Sequence, residues 1–206
     1  MDTPDLPTLF FAIALALQIA WRQIFMARTF GCGALLSRFD WMERSLLLLM
    51  IPGYFLLPYL FIVTGGITFA DYTLPASIQA AGMVFLGTGF YLFWRSHRDL
   101  DRNWSISLMV RDNHELVTSG VYQRIRHPMY AAFWLWAIGQ GLTLPNWLAG
   151  WSLLPAFALL YFLRTPREEA LMREKFGMDY VRYTERTGRL LPRLRPIAKP
   201  PVEAAP

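Results

Sequence analysis

Two stretches of this 206-residue chain bring titratable and aromatic side chains together at spacings that could support chemistry. The first runs Leu116-Val117-Thr118-Ser119-Gly120-Val121-Tyr122 and resumes as Arg126-His127-Pro128-Met129-Tyr130. Ser119-Gly120 is a turn signal, and Pro128 suits the first turn of a helix, where a missing N–H is harmless. His127 then stands at the mouth of that helix beside free backbone N–H donors, an end that attracts anions. The second stretch is Arg164-Thr165-Pro166-Arg167-Glu168-Glu169. Arg164 precedes Glu168, and Glu169 precedes Arg173, at the spacing that lets each pair meet on one helix face. A carboxylate facing a basic cluster near low dielectric is a reasonable small-molecule site. The plainer readings are an interfacial belt for the first stretch and a solvated, salt-bridged helix for the second.

Other chemistries find less support. His97 and His114 have no partner at metal-ligand spacing, so no metal site is expected. Cys32 is alone and allows no intramolecular disulfide. Gly31-Cys32-Gly33 and Gly87-Thr88-Gly89 are fragments of glycine-rich motifs that do not follow a strand, which leaves a Rossmann site unsupported. Ser119, His127 and Glu168 are the residue types of a hydrolase triad, but nothing places Ser119 on a nucleophile elbow.

The elements that must carry these residues are membrane helices. Hydrophobic residues make up 54% of the chain and charged residues 17%, against about 25% charged in an ordinary soluble domain. Lipid can cover apolar surface that so little charge cannot. Apolar runs span residues 6–27, 45–64, 78–94, 129–144 and 147–163. Pro52 and Pro58 predict a kink in the second, and Gly82, Gly87 and Gly89 offer the third a small face for close packing. The last two runs flank Pro145-Asn146 and read as a helical hairpin that crosses and returns, with a re-entrant pair as the alternative. Residues 166–186 read as a cytoplasmic amphipathic helix with Ala170, Leu171, Phe176, Tyr180 and Tyr183 on its apolar side. Residues 193–206 read as a disordered tail.

The expected fold is therefore an all-α, polytopic membrane helical bundle with about five crossings. Residues 1–95 form an N-terminal three-helix membrane region, and residues 96–192 carry the hairpin and a cytoplasmic pocket. No cleavable signal peptide is expected, because residues 1–7 lack a basic start and carry Asp2 and Asp5. The net charge of +5 comes from twenty basic residues, which fall into segments 22–44, 95–126 and 164–206. These alternate with segments that hold none, so the N-terminus is expected outside and the C-terminus in the cytoplasm. Placed beside Trp and Tyr, that charge suits lipid headgroups; no nucleic-acid partner is expected.

The order of the motifs resembles the isoprenylcysteine carboxyl methyltransferase family, in a bacterial form. Leu116 to Tyr130 is followed by the hairpin, Glu168-Glu169, Phe176-Gly177 with Tyr180, Tyr183 and Arg186, then Thr187-Gly188 and Leu191-Pro192. The likeness covers about Asn103 to Pro192, including Asn103-Trp104-Ser105-Ile106-Ser107. It implies a methyltransferase of the cell inner membrane that uses S-adenosylmethionine without a Rossmann domain. By that resemblance the backbone of Leu116, Val117, Gly120, Val121 and Tyr122, with Arg126, His127, Pro128, Tyr130 and Glu168, binds the cofactor. Glu168 or Glu169 matches an essential glutamate and Arg164 an essential arginine, the catalytic set.

The chemistry of the residues is compatible with those roles. Tyr122 or Tyr130 suits an adenine face, and Arg126, His127 and helix-start N–H groups suit a carboxylate. A carboxylate nucleophile needs no general base, so catalysis would be mainly positioning and exclusion of water; an amine would need one, and Glu169 is the candidate. The implied acceptor is hydrophobic or lipid-like, with an isoprenylcysteine-type carboxylate as one form. Alternatives are a phospholipid N-methyltransferase, a small-thiol S-methyltransferase, or a non-catalytic membrane protein on the same fold.

Overall fold

A computed structural model describes residues 5–29, 36–37, 40–101, 109–110 and 115–193. Cys32, Arg38, Arg102, the 103–107 run, Arg111, His114 and the expected tail from residue 194 lie outside the described residues. Five long helical elements account for most of the rest: α1 (Leu6–Thr29), α2 (Trp41–Thr64), α3 (Ala76–Leu100), α4 (Pro128–Thr143) and α5 (Trp147–Arg186). One small strand pair, Leu36–Ser37 with Met109–Val110, joins the two segments that precede α2 and follow α3.

The apolar runs become helices because lipid leaves backbone polar groups no partner outside the segment. Asp40 caps α2, its carboxylate accepting from Glu43 N at 3.0 Å. The two prolines of α2 do not break it: the backbone widens to π-helix over Pro52–Leu56 and again over Leu60–Thr64. α1, α2, α3 and α5 are long and apolar enough to cross a membrane. α4, with 16 residues, rises about 24 Å at 1.5 Å per residue, short of the roughly 30 Å hydrocarbon core.

Despite its length α4 joins the two ends of the bundle, packed against α3. A Cβ on Gly82 would lie 2.8 Å from the Leu142 carbonyl carbon, and one on Gly89 would lie 3.0 Å from the Ala132 oxygen. Gly139 of α4 reciprocates, a Cβ there falling 2.9 Å from Leu86 N. Between membrane helices such close approach of small residues is the main source of cohesion. Gly87, expected on the same face, instead meets open space; it lies halfway round the helix from the contact.

The far end is closed by Asn146. Its side-chain oxygen accepts from Leu148 N and Ala149 N, at 3.0 and 2.8 Å, while its amide donates to Ile67 O and Asp71 Oδ1 at 2.8 and 2.6 Å. The Pro145-Asn146 turn is thereby tied to the loop between α2 and α3, as a crossing hairpin requires. Side-chain pairs fix the helix directions. Phe25 meets His97 and Trp21 meets Trp94, so α1 and α3 run parallel. Glu43 pairs with Arg164 while Gly53 lies against Leu153, so α2 and α5 are antiparallel. Trp136, Phe11, Phe93, Phe157 and Leu86 fill the shared core.

One expectation needs correcting. Residues 166–186 are not a separate amphipathic helix: α5 continues through Pro166 without interruption, and the non-helical residue is Gly177 (φ 52°, ψ −127°). Ala170 faces outward, and the buried side is formed by Thr165, Glu169, Leu171, Tyr180 and Tyr183. A proline removes one hydrogen bond, which a long packed helix tolerates; a positive φ reverses the chain locally.

Candidate active site

Where α1, α3 and α5 end their apolar runs and α2 and α4 begin, the two sequence stretches meet around a cavity of about 420 Å³, within the 300–1,000 Å³ usual for small-molecule sites. Leu116, Val117, Tyr122, Arg126, His127, Pro128, Tyr130, Arg164 and Glu168 line it. Pro128 occupies the first turn of α4 with His127 immediately before it, as the spacing predicts. Gly120 and Val121 stand behind the wall. Gly120 has φ +60°, and a Cβ there would lie 2.2 Å from Asp99 Oδ2, the same oxygen that accepts from Val121 N at 2.8 Å. Asp99, at the end of α3, thus pins the 116–122 segment, and sequence reasoning did not single it out.

The two glutamates take different places. Glu168 faces the cavity, accepting from Tyr130 Oη at 2.6 Å, with His127 Nδ1 3.8 Å away. Glu169 is buried and outside the lining. Its Oε1 accepts from Arg126 Nε at 2.9 Å and Arg189 Nε at 3.1 Å and lies 3.2 Å from His127 Nε2. Oε2 accepts from Arg189 Nη2 at 2.8 Å, with Arg173 Nη2 at 3.6 Å. Burial opposes the Glu169 charge, but hydrogen bonds from His127, Arg189 and Arg126 outweigh it and hold the carboxyl well below the usual carboxylate range. The same contact holds the Arg189 guanidinium above its ordinary value.

Arg189 belongs to a strap that returns to the site after α5. Arg126 N donates to Gly188 O at 2.9 Å, His127 N to Arg189 O at 3.0 Å, and Gly188 N to Arg124 O at 3.1 Å. Arg126 Nη1 donates to Thr187 O at 2.9 Å. The strap fixes Arg126 and His127 from behind through backbone bonds, which side-chain typing of a sequence cannot show. Glu43 was missed as well. It is buried at the start of α2 and pairs with Arg164 at 3.3 Å. A glutamate in the first turn of an otherwise apolar helix was the available signal.

The cavity is amphipathic. Its polar wall continues into Leu47, Met50, Ile51 and Phe55 of α2 and Phe133 and Phe157 of α4 and α5. His127 stacks on Tyr130 with ring centroids 5.4 Å apart. Such a site can hold a polar molecule at the His127 end while accepting an apolar chain from the bundle interior.

Residues 79–174 match the isoprenylcysteine carboxyl methyltransferase family model. The match begins within α3, upstream of Asn103, and ends before the Phe176-Gly177 motif. The chain is 28% identical to human protein-S-isoprenylcysteine O-methyltransferase over 87% of its own length and 76% of the human one. It is 34% identical to the Schizosaccharomyces pombe protein of that name, over 52% of this chain and 47% of that one. Against protein-S-isoprenylcysteine O-methyltransferase B of Arabidopsis thaliana it is 35% identical over 39% of the chain and 41% of the relative. The chain thus spans less than half the length of the plant relative and about three quarters of the human one. The family likeness read from the motifs is shown, and these names indicate methyltransferases.

Proposed function

We propose that this chain, alike over residues 79–174 to isoprenylcysteine carboxyl methyltransferases, moves a methyl group from S-adenosylmethionine to a carboxylate on a hydrophobic, lipid-like acceptor. The observation that carries this reading is the single cavity in which His127, Tyr130, Glu168 and Arg164 share a space with the apolar side chains of α2, α4 and α5. The donor set fits S-adenosylmethionine: an aromatic surface from Tyr122 and Tyr130, a carboxylate at Glu168, and positive charge at Arg126 and Arg164. When bound, that molecule supplies an electrophilic methyl group on a sulfonium.

The rest of the chemistry belongs to the protein. Glu168 accepts from an ammonium or a ribose hydroxyl, and Tyr130 orients it through the 2.6 Å bond. Glu169 keeps Arg126 and His127 in place and is ionised throughout the physiological range. A carboxylate acceptor is likewise ionised, so no group needs to take a proton. With donor and acceptor bound, in-line transfer would form the oxygen–methyl bond as the sulfur–methyl bond breaks, and both opposite charges would be lost. The site's contribution is alignment and exclusion of water. Residues 96–192 supply most of this machinery, residues 1–95 the membrane frame and the α2 wall. We place the chain in a cell inner membrane with the site on the cytoplasmic face.

The test is calorimetry of the purified protein with S-adenosylhomocysteine. Binding by the wild type is expected, with His127→Ala and Glu168→Gln each weakening it about tenfold or more, about 1.4 kcal/mol. No binding by intact, folded wild-type protein overturns the reading.

A further inference from the structure

Three of the polar side chains that line the cavity come from α1 and α2, outside the family match. Gln18 and Arg22 are one helical turn apart on α1, and Tyr54 lies on the π-helical part of α2; all three line the cavity. Gln18 is 2% exposed, and its Oε1 has no hydrogen-bond partner. Among the described residues, neither Arg22 nor Tyr54 has a hydrogen-bond or ion-pair partner. The electrostatic neighbours of Arg22 include Tyr54 and Arg164. Arg164 is balanced by Glu43 at 3.3 Å; among the described residues no acid pairs with Arg22, although Glu115 and Glu168 line the same cavity.

A guanidinium set against Leu47, Met50, Ile51 and Phe55 without a counter-ion is costly in isolation, because desolvation is not offset. An uncompensated cation and an unsatisfied amide on one wall make sense if the missing anion arrives with a ligand. We propose that Arg22, assisted by Gln18 and Tyr54, binds the carboxylate of the methyl acceptor and selects for a free acid over an ester, an amide or an amine. A guanidinium suits this task because it pairs with a carboxylate through two parallel N–H donors. Arg22 and Arg164 together repel an ammonium acceptor. The acceptor's apolar chain then extends along Leu47, Met50, Ile51 and Phe55. This rests on the methyltransferase reading for the acceptor's identity, but the site itself is testable without any methyl donor.

The probe is S-farnesyl-N-acetylcysteine, compared with its methyl ester by tryptophan fluorescence titration of the detergent-purified full chain. The wild type is expected to bind the acid about tenfold tighter than the ester. In Arg22→Gln the two affinities should converge, while Arg22→Lys retains part of the preference and S-adenosylhomocysteine affinity changes less than about twofold in both. Equal affinity for acid and ester in the wild type, no binding of either, or an undiminished preference in Arg22→Gln overturns the proposal. A fall in S-adenosylhomocysteine affinity equal to that for the acid also overturns it, since Arg22 would then be acting on the whole pocket. If Arg22→Gln does not fold, the wild-type preference and the Arg22→Lys result decide. Failure of the wild type to bind S-adenosylhomocysteine would sink the methyltransferase reading alone.

Discussion

Glu169 shows how a carboxylate in a functional cluster can be committed to holding its neighbours. Arg126, Arg189 and His127 converge on it, and Arg173 is 3.6 Å away. Removing one member of a buried charge group typically costs 3–5 kcal/mol. Arg189 and Arg173 are about half exposed, so screening reduces their share, and Glu169→Gln should destabilise by about 3 kcal/mol. The sign of the pH dependence follows from the depressed carboxyl. Stability from this group is fully present above the ordinary unfolded value, about 4.3, and is lost as pH falls toward the lower folded value. Thermal melts should therefore show a wild-type advantage over Glu169→Gln that is flat from about pH 5 upward and shrinks only in more acid solution. An advantage that already disappears between pH 5 and 7 would mean that the cluster does not hold Glu169 ionised. The sequence exposed the Glu168-Glu169 pair but not its division of labour, because the partners that separate the two residues lie on α4 and on the strap.

At the scale of elements, the α3–α4 contact sets the position of His127 relative to Asp99. Gly139→Val would push its Cβ to 2.9 Å from Leu86 N and 3.0 Å from Gly82 O, both backbone atoms that cannot swing aside. A cost of about 1–3 kcal/mol follows from overpacking of this kind, whereas Gly87→Ala meets nothing within 4 Å and should leave the melting temperature unchanged or raised. Chemical denaturation of both variants in the same detergent checks the contrast. Equal loss in the two would show that the helices do not pack through Gly139. The helices themselves were legible in the sequence, because a run of apolar residues in lipid has few options. Gly82 and Gly89 were legible as a packing face, but Gly87 required knowing which way α3 is rotated. Pro166 misled for a related reason: proline is a breaker in isolation, and only the packing of Thr165, Glu169 and Leu171 shows that α5 runs through it.

Across the whole molecule, the helix directions follow the alternation expected from the charge pattern. α1 and α3 run parallel, α2 and α4 run against them, and α5 returns alongside α2. The 65–75 loop and Pro145-Asn146 therefore share one end, joined by the Tyr72 N to Pro145 O bond at 3.0 Å. The cavity mouth, the strap and the basic residues described around them share the other. α4 can be shorter than the bilayer core because it is enclosed by α3 and α5, so lipid need not match its length. An activity or accessibility reporter inserted after Gly66 should then report the side opposite to one fused after Pro206. On the proposed orientation the latter lies in the cytoplasm. Reporters on the same side would mean that one of α3, α4 and α5 does not cross, leaving an even number of passes between the two fusion points. Such a result would set the membrane sidedness against the opposite ends that the helix directions give to the 65–75 loop and to the cavity mouth beside His127.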